Sequence, residues 1–165
     1  MLLALDISLT TGATWGAPKG RPSSAVWKLP PGRDNLNRAM HCLRLNVITT
    51  CRMHRVEITC IESSMKVIDS EHSEYSAFCL TSLQAVAREA AYSAGCRVEM
   101  VECAVWRKHF LGRSNLSREE AKAFAEKRCD QLQYSYVDDN TAESNGIWDW
   151  GVSKFYTRSS IIAGI

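Results

Sequence analysis

The order of strand-like and helix-like segments along the chain constrains its fold more than any other feature of the sequence. Residues 2–9 and a short run near Ala25–Leu29 have the apolar, β-branched character of strands. After Asp34, apolar side chains spaced by four, three and four residues predict a helix. A strand, a helix, another strand and two final helices follow, which gives the order β-β-α-β-α-β-α-α. This order predicts an α/β fold in which helices flank a mixed central sheet that is at least partly parallel.

Turn and capping signals set the predicted boundaries. Thr10-Thr11-Gly12 predicts a turn after the first strand, and the basic stretch Trp106–Asn115 predicts a connector rather than a helix. Ser117 and Glu120 have the spacing of a capping box, which predicts a helix through about residue 132. The last helix is expected to begin near Asp139.

Length and composition are those of a globular domain. The chain has 165 residues, of which 45% are apolar, and this predicts one domain over residues 1–165 with a hydrophobic core. No run of 18 apolar residues occurs, so no transmembrane helix is expected. The N-terminus lacks the basic leader of a signal peptide, and the expected compartment is the cytosol.

Seven cysteines are spread along the chain. Their number is odd and no C-x-x-C pair occurs, which argues against both a disulfide framework and a zinc site. We therefore expect reduced thiols, several of them acting as small core side chains.

Positive charge is concentrated in one segment. The net charge is only +2, but the stretch from Ala104 to Arg118 contains no acid. Its basic side chains are Arg107, Lys108, His109, Arg113 and Arg118. A basic patch of this kind on a nearly neutral protein indicates contact with phosphates.

Acidic residues stand at the ends of the predicted elements. Asp6 follows an apolar strand, Glu62 ends a second strand, and Asp139 and Glu143 open the last helix. Sites in α/β folds gather at the carboxyl ends of strands and at nearby helix starts. Converging carboxylates suit a hard divalent ion such as Mg²⁺ or Mn²⁺. Asp139 and Glu143 differ by about 40° around a helix and share a face.

Each acid also has a purely structural interpretation. Asp6 could pair with a buried cation or accept turn amides, and Glu62 could be an ordinary acid at a strand end. Asp138 and Asp139 could cap the last helix. Asp149 lies on a different part of that helix and is expected to face solvent.

Four motifs together resemble the RuvC-type Holliday-junction resolvases, and a phage-like branch of that family is considered as well. The motifs are "LALDISLTTGA", "CIESS", "WRKHFLGRSNLSREEAK" and "DDNTAESNGIWDWG". They occur in the family's order and at similar spacings over nearly the whole chain. The resemblance implies a single RNase H-like nuclease domain, a homodimer and cleavage of four-way DNA junctions by paired symmetric nicks. It also implies association with the nucleoid, and neither a membrane nor a small-molecule cofactor.

The resemblance further implies a set of metal ligands. Asp6 and Glu62 match the family's acidic metal-binding positions, and Asp139 and Glu143 stand in the last motif. Bacterial members typically carry two Asp three residues apart there, whereas this chain has Asn140 three residues before Glu143. Two Mg²⁺ or Mn²⁺ ions are implied, one activating a water and the other stabilising the leaving 3′ oxygen.

The DNA-binding residues implied by the resemblance lie in two regions. Arg107 and Arg118 match positions that are usually basic, and Arg118 is also expected to act in catalysis. Met65 lies three residues past Glu62, where family members can carry a residue that probes the junction, although it could equally be a core methionine. The full predicted set is Arg107, Lys108, Arg113, Arg118, Met65 and Lys66.

Three other functions remain open at the level of sequence. The stretch "DISLTTG" is similar to the phosphate loop of the actin, sugar-kinase and Hsp70 superfamily, but no second copy of such a loop occurs. A different RNase H-like nuclease could act on RNA–DNA hybrids or on RNA. A non-catalytic module could bind junctions without cutting them.

Overall fold

A five-stranded mixed sheet forms the centre of the part of the molecule that the structure describes. The structure is a computed structural model that describes residues 1–63 and 74–156. Its strands are β1 Leu2–Asp6, β2 Thr10–Gly16, β3 Ser23–Lys28, β4 Ile58–Ser63 and β5 Arg97–Glu102. They lie in the order β3-β2-β1-β4-β5, with β2 antiparallel to its neighbours and β4 parallel to both of its neighbours. The predicted α/β fold with a mixed central sheet is confirmed.

Helices cover both faces of this sheet. They are α1 Leu36–Met53, α2 Glu74–Ser93, α3 Cys103–Leu111, α4 Arg118–Leu132 and α5 Asp139–Phe155, and a short 3-10 turn precedes α1. Helices α1 and α2 pack on one face, and α3, α4 and α5 pack on the other. Within residues 1–63 and 74–156, no helix has both the length and the apolar character needed to cross a membrane.

Strand β1 is apolar because both of its faces are buried. Side chains alternate along a strand, and Leu3 and Leu5 accordingly lie in the core against α1 and α2. Leu2 and Ala4 lie in the second core, against α3, α4 and α5. Asp6 continues the Leu2–Ala4 side, so the alternation directs its carboxylate toward α5.

The predicted turn at Thr10-Thr11-Gly12 is wrong, because these residues begin β2. The chain reverses at Ile7–Leu9 instead, and the Ser8 side chain holds this turn. Its hydroxyl donates to the Thr10 carbonyl oxygen at 2.8 Å and accepts from the Thr10 amide at 3.0 Å. Thr10 and Thr11 are β-branched and favour the strand, where they pair with β3.

The predicted basic connector is also wrong, since its first part is helix α3. Trp106 and Phe110 are one helical turn apart, and both are buried against α5. Burial of each large aromatic side chain stabilises the fold by roughly 2–3 kcal/mol. That packing holds in place a helix that also carries Arg107, Lys108 and His109, and Gly112 ends it in the left-handed conformation.

Candidate active site

Two of the predicted carboxylates lie side by side at the carboxyl ends of neighbouring parallel strands. The register pairs Leu5 of β1 with Ile61 of β4, so Asp6 and Glu62 are the next residues along each strand. Both side chains line the same small cavity. Burial raises the pKa of Asp6 well above its usual range, and the charges of Glu62 and Glu143 raise it further. The cluster therefore favours a proton or a cation beside Asp6.

Helix α5 brings the other two predicted carboxylates to the same place. Its first turn is fixed by Asp138, whose side chain accepts from the Thr141 amide at 2.9 Å. Asp139 and Glu143 follow on one face of the helix, and both contribute to the raised pKa of Asp6. Glu143 is only 8% exposed. Burial raises its pKa, and the charge of Glu62 raises it further.

The close approach of α5 to the sheet depends on a glycine in β2. Gly12 stands opposite Asp6 across the β1–β2 pairing. A Cβ atom at residue 12 would lie 2.1 Å from the backbone oxygen of Asn140. The absent side chain thus lets the first turn of α5 rest on the strand beside Asp6.

Two cations already contact the carboxylates of α5. The Arg107 guanidinium on α3 donates to Glu143 at 3.0 Å, and the Lys122 ammonium on α4 pairs with Asp139. The hydrogen bond from Lys122 holds the pKa of Asp139 below its usual value. The same contact raises the pKa of Lys122.

The chemistry of the cluster fits a hard divalent ion, although its side chains are not arranged around one. Carboxylate oxygens are the ligands that Mg²⁺ and Mn²⁺ prefer, and a nearby cation would favour the charged form of Asp6. In residues 1–63 and 74–156, no group of three or more His, Cys, Asp or Glu side chains is positioned to hold a metal ion. Two of the four carboxylates are paired with Arg107 and Lys122 instead.

A small cavity opens beside Asp6 and Glu62. It has a volume of about 170 Å³ and is lined by Asp6, Ile7, Glu62, Leu80 and Gln84. The Gln84 side chain on α2 donates to the backbone oxygen of Glu62 at 2.8 Å. This contact ties the end of β4 to α2 and so fixes the backbone that carries Glu62.

The predicted basic residues do not form one surface. Arg107 points into the carboxylate cluster, whereas Lys108 is exposed on α3. The Arg113 guanidinium lies 4.3 Å from the centre of the Phe124 ring, outside the cluster. Arg118 is exposed at the first position of α4, and its charge partly opposes the rise that Asp139 causes in the pKa of Lys122, one turn further on. Met65 and Lys66 lie outside the described residues.

Two acids of the last motif have roles other than that of the carboxylate cluster. Asp138 caps α5, which is the structural interpretation that the sequence offered for it. The expectation that Asp149 faces solvent is wrong. Its carboxylate lies 2.9 Å from the His109 ring and accepts from the Tyr134 hydroxyl at 2.8 Å. Asp149 therefore ties α5 to α3 and to the segment after α4.

Three residues at the site were missed from the sequence. They are Lys122, Gln84 and Cys103. Lys122 pairs with Asp139, and Gln84 donates to the backbone of Glu62. The thiol pKa of Cys103 is raised by burial and by Glu62. Lys122 did carry a signal, because it follows Arg118 by four residues and shares its helix face. Cys103 directly follows β5, next to the end of β4. Gln84 has no comparable signal, because α2 contains several other polar side chains.

Comparison with known proteins gives solved structures and no sequence relatives. No protein-family model and no curated protein matches this sequence. The structure of Thermus thermophilus RuvC in complex with a Holliday junction substrate matches with a TM-score of 0.69 at 18% identity, over 96% of this chain and 95% of that chain. A second Thermus thermophilus RuvC structure matches with a TM-score of 0.69 at 16% identity, over 96% of both chains.

A more distant match extends the comparison. The yeast mitochondrial Holliday junction resolvase Ydc2 matches with a TM-score of 0.56 at 10% identity, over 98% of this chain and 83% of that chain. At identities this low, the matches establish the architecture through their TM-scores and coverage. They agree with the resemblance drawn from the four motifs. The chain therefore has the RNase H-like fold of the RuvC-type Holliday-junction resolvases.

Proposed function

We propose that this protein is a divalent-metal-dependent endonuclease that resolves four-way DNA junctions by paired, symmetric nicks. The observation that carries the proposal is the cluster around Asp6. Its carboxylate meets those of Glu62 and Glu143 at the carboxyl ends of parallel strands, in a fold shared with junction resolvases. The neighbours' names describe junction binding and resolution in those proteins, and we extend that activity to this chain.

The proposed ligands are the four acids of the cluster, Asp6, Glu62, Asp139 and Glu143. Mg²⁺ or Mn²⁺ held by them, as two ions, would supply an activated water and stabilise charge on a leaving 3′ oxygen. The chain itself orients these carboxylates. Asp6 and Glu62 are fixed by the paired strands, and α5 is held at its start by the cap at Asp138.

Basic residues would hold the DNA backbone over this cluster. Arg118 is exposed at the start of α4, and its guanidinium can donate two parallel hydrogen bonds to a phosphate. Lys108 is exposed on α3 and Arg113 is exposed just after that helix, and we assign both to contacts with other phosphates of the DNA. Because the net charge is only +2, these basic residues would account for most of the salt dependence of DNA binding.

A symmetric dimer would supply the two sites that paired nicks require. Helix α2 carries an exposed stripe of Phe78, Ala85 and Tyr92, which are spaced by seven residues and so share one face. Phe78 is 61% exposed and Tyr92 is 78% exposed. Large aromatic side chains exposed on one face are typical of protein interfaces. We assign this stripe to the contact between two copies of the chain.

A second candidate is a module that binds junctions without cutting them. The ion pairs Arg107–Glu143 and Lys122–Asp139 favour it, because they leave no ready-made metal site among the described residues. A phosphate-loop enzyme fits less well, since the acids beside Asp6 would repel a nucleotide phosphate.

One experiment separates these functions. The protein is incubated with a labelled four-way junction, a linear duplex and an RNA–DNA hybrid, each with Mg²⁺ or with EDTA. We expect symmetric nicks in the junction alone, and only with Mg²⁺. Binding of the junction without any cut would support the module, and cutting of the hybrid alone would support a different nuclease.

The Asp6 side chain provides the matched test of the site. Asp6→Asn removes the central carboxylate charge at nearly constant size, so cutting should fall by at least about 10³-fold while junction binding stays. Asp130→Asn, an exposed acid on α4, serves as the control. Cutting that survives in Asp6→Asn would overturn the assignment of Asp6.

A further inference from the structure

The carboxylates of α5 are neutralised by cations that belong to the chain itself. Arg107 and Glu143 form a largely buried pair, with side chains 16% and 10% exposed. Lys122 and Asp139 form a second pair in which both side chains are partly exposed. Each pair joins α5 to a different helix, α3 in the first case and α4 in the second.

A chain cation and a divalent ion compete for the same carboxylate oxygens. A guanidinium or ammonium group within hydrogen-bond distance of a carboxylate occupies one of its oxygens and repels a second cation. The Lys122 ammonium contacts the Asp139 carboxylate in this way, and the Arg107 guanidinium contacts Glu143 at 3.0 Å. Consistent with this competition, no metal-binding arrangement exists among the residues that the structure describes.

The Arg107 guanidinium is also incompletely satisfied where it lies. Within the described part of the chain, its Nε atom is buried and has no hydrogen-bond partner. A buried unsatisfied donor costs about 1–3 kcal/mol. This cost lowers the free energy needed to move Arg107 from Glu143 to a partner that accepts from both Nε and Nη, such as a phosphate.

We propose that Arg107 and Lys122 are exchangeable counter-ions of the carboxylate cluster. They occupy Glu143 and Asp139 in the metal-free protein, and both must leave these carboxylates before a divalent ion binds with full affinity. Once released, Lys122 lies beside Arg118, where a DNA phosphate would meet both side chains. The inference rests on the proposed metal-dependent function, and it assigns Lys122 to the site.

The test is the affinity of the protein for metal in the absence of DNA. Isothermal titration with MgCl₂, and separately with MnCl₂, is carried out on the wild-type protein and on Lys122→Gln and Arg107→Gln. We expect each variant to bind the metal at least about tenfold more tightly, or about 1.4 kcal/mol, because its competing cation is gone. Lys122→Arg keeps the charge and should bind metal as the wild type does.

A matched control separates competition from a general change in charge. Lys127→Gln removes one positive charge from an exposed position of the same helix, and its metal affinity should not change. Thermal unfolding followed by circular dichroism verifies that each variant is folded. If Arg107→Gln does not fold, the test rests on Lys122→Gln, because the Lys122 side chain is partly exposed. If folded Lys122→Gln binds the metal no more tightly than the wild-type protein does, the inference is overturned and the proposed function stands. An absence of metal binding to every variant would overturn the inference and the proposed function together.

Discussion

The metal-free fold disfavours the charged form of the Asp6 carboxyl group. Its pKa is raised by burial and by neighbouring acids, so folding favours its neutral form. A carboxyl group whose pKa is higher in the folded chain contributes stability at low pH, and this contribution is lost as the pH rises through the folded pKa. The contribution of Asp139 changes with pH in the opposite direction. Lys122 lowers the pKa of Asp139, so the charged form favours folding and the contribution is lost as the pH falls.

This difference in sign predicts opposite effects of two similar substitutions. In EDTA at neutral pH, Asp6→Asn should raise the melting temperature by a few degrees because the amide cannot acquire the buried charge that the neighbouring acids oppose. Asp139→Asn should lower it because Lys122 loses its partner. Thermal unfolding at neutral pH and again at about pH 4 measures both effects, and the gain of Asp6→Asn should shrink at the lower pH, where Asp6 is protonated. A loss of stability in Asp6→Asn equal to that in Asp139→Asn would contradict the electrostatic explanation.

The site residues predicted from the sequence were those at the ends of elements. Asp6 and Glu62 end strands, and Asp139 and Glu143 open a helix, so local pattern was enough to bring them together on one side of the sheet. The partners of these acids were harder to predict. Whether Arg107 points to the cluster or to DNA depends on how α3 packs against α5, and that packing is set by contacts between distant parts of the chain.

At the scale of elements, α5 is placed by its contact with the β1–β2 hairpin. Gly12 provides the space for the Asn140 backbone, and the Thr14 hydroxyl lies 2.7 Å from the Ser144 hydroxyl one helical turn further along. Both contacts join β2 to the helix that carries Glu143. The position of that acid relative to Asp6 therefore depends on a strand that the sequence analysis missed.

A methyl group at residue 12 should displace helix α5 from strand β2. In Gly12→Ala the new Cβ would overlap the Asn140 oxygen, and such overpacking costs about 1–3 kcal/mol. We expect a lower free energy of unfolding in urea, together with slower junction cleavage because Asp139 and Glu143 shift. Gly20→Ala is the control, since a Cβ there meets its nearest atom at an ordinary 3.6 Å. Equal stability of the two variants would show that the α5–β2 contact is not as tight as described.

Strand β2 and helix α3 were missed for related physical reasons. Thr10–Gly12 has the composition of a turn, but pairing with β1 and β3 overrides that local preference. Residues 106–115 contain four charged or histidine side chains that would suit a loop, yet Trp106 and Phe110 carry the spacing of a buried helical face. In both cases a few contacts between distant parts of the chain determine the secondary structure of the segment.

At the scale of the whole molecule, the two faces of the sheet have different proposed tasks. Helices α3, α4 and α5 supply the cations and two of the four acids of the site on one face, while α1 and α2 cover the other. The stripe Phe78–Ala85–Tyr92 lies on α2 and leaves the site free. A dimer formed through this stripe would therefore keep two sites open to one four-armed substrate.

Charges placed on this stripe should separate the dimer. Phe78→Asp and Tyr92→Asp put a charge into an apolar contact, and we expect each variant to sediment as a monomer in analytical ultracentrifugation. Each should still bind a junction but lose the pairing of its two nicks. Val105→Asp changes an exposed apolar residue of α3, on the opposite face, and should leave the dimer intact. A monomeric wild-type protein would rule out the proposed assembly.

The cluster joins Asp6 in the first strand to Glu143 in α5, and this span has a consequence for synthesis. A growing chain that has not yet reached Asp139 contains only half of the proposed ligands, and it leaves Leu2, Ala4 and Cys60 without their cover. Such a chain cannot complete the site, whatever the length of its pause on the ribosome. In the proposed nuclease, this arrangement would keep incomplete chains from cutting DNA, because the acids meet only after α5 has been made and has docked.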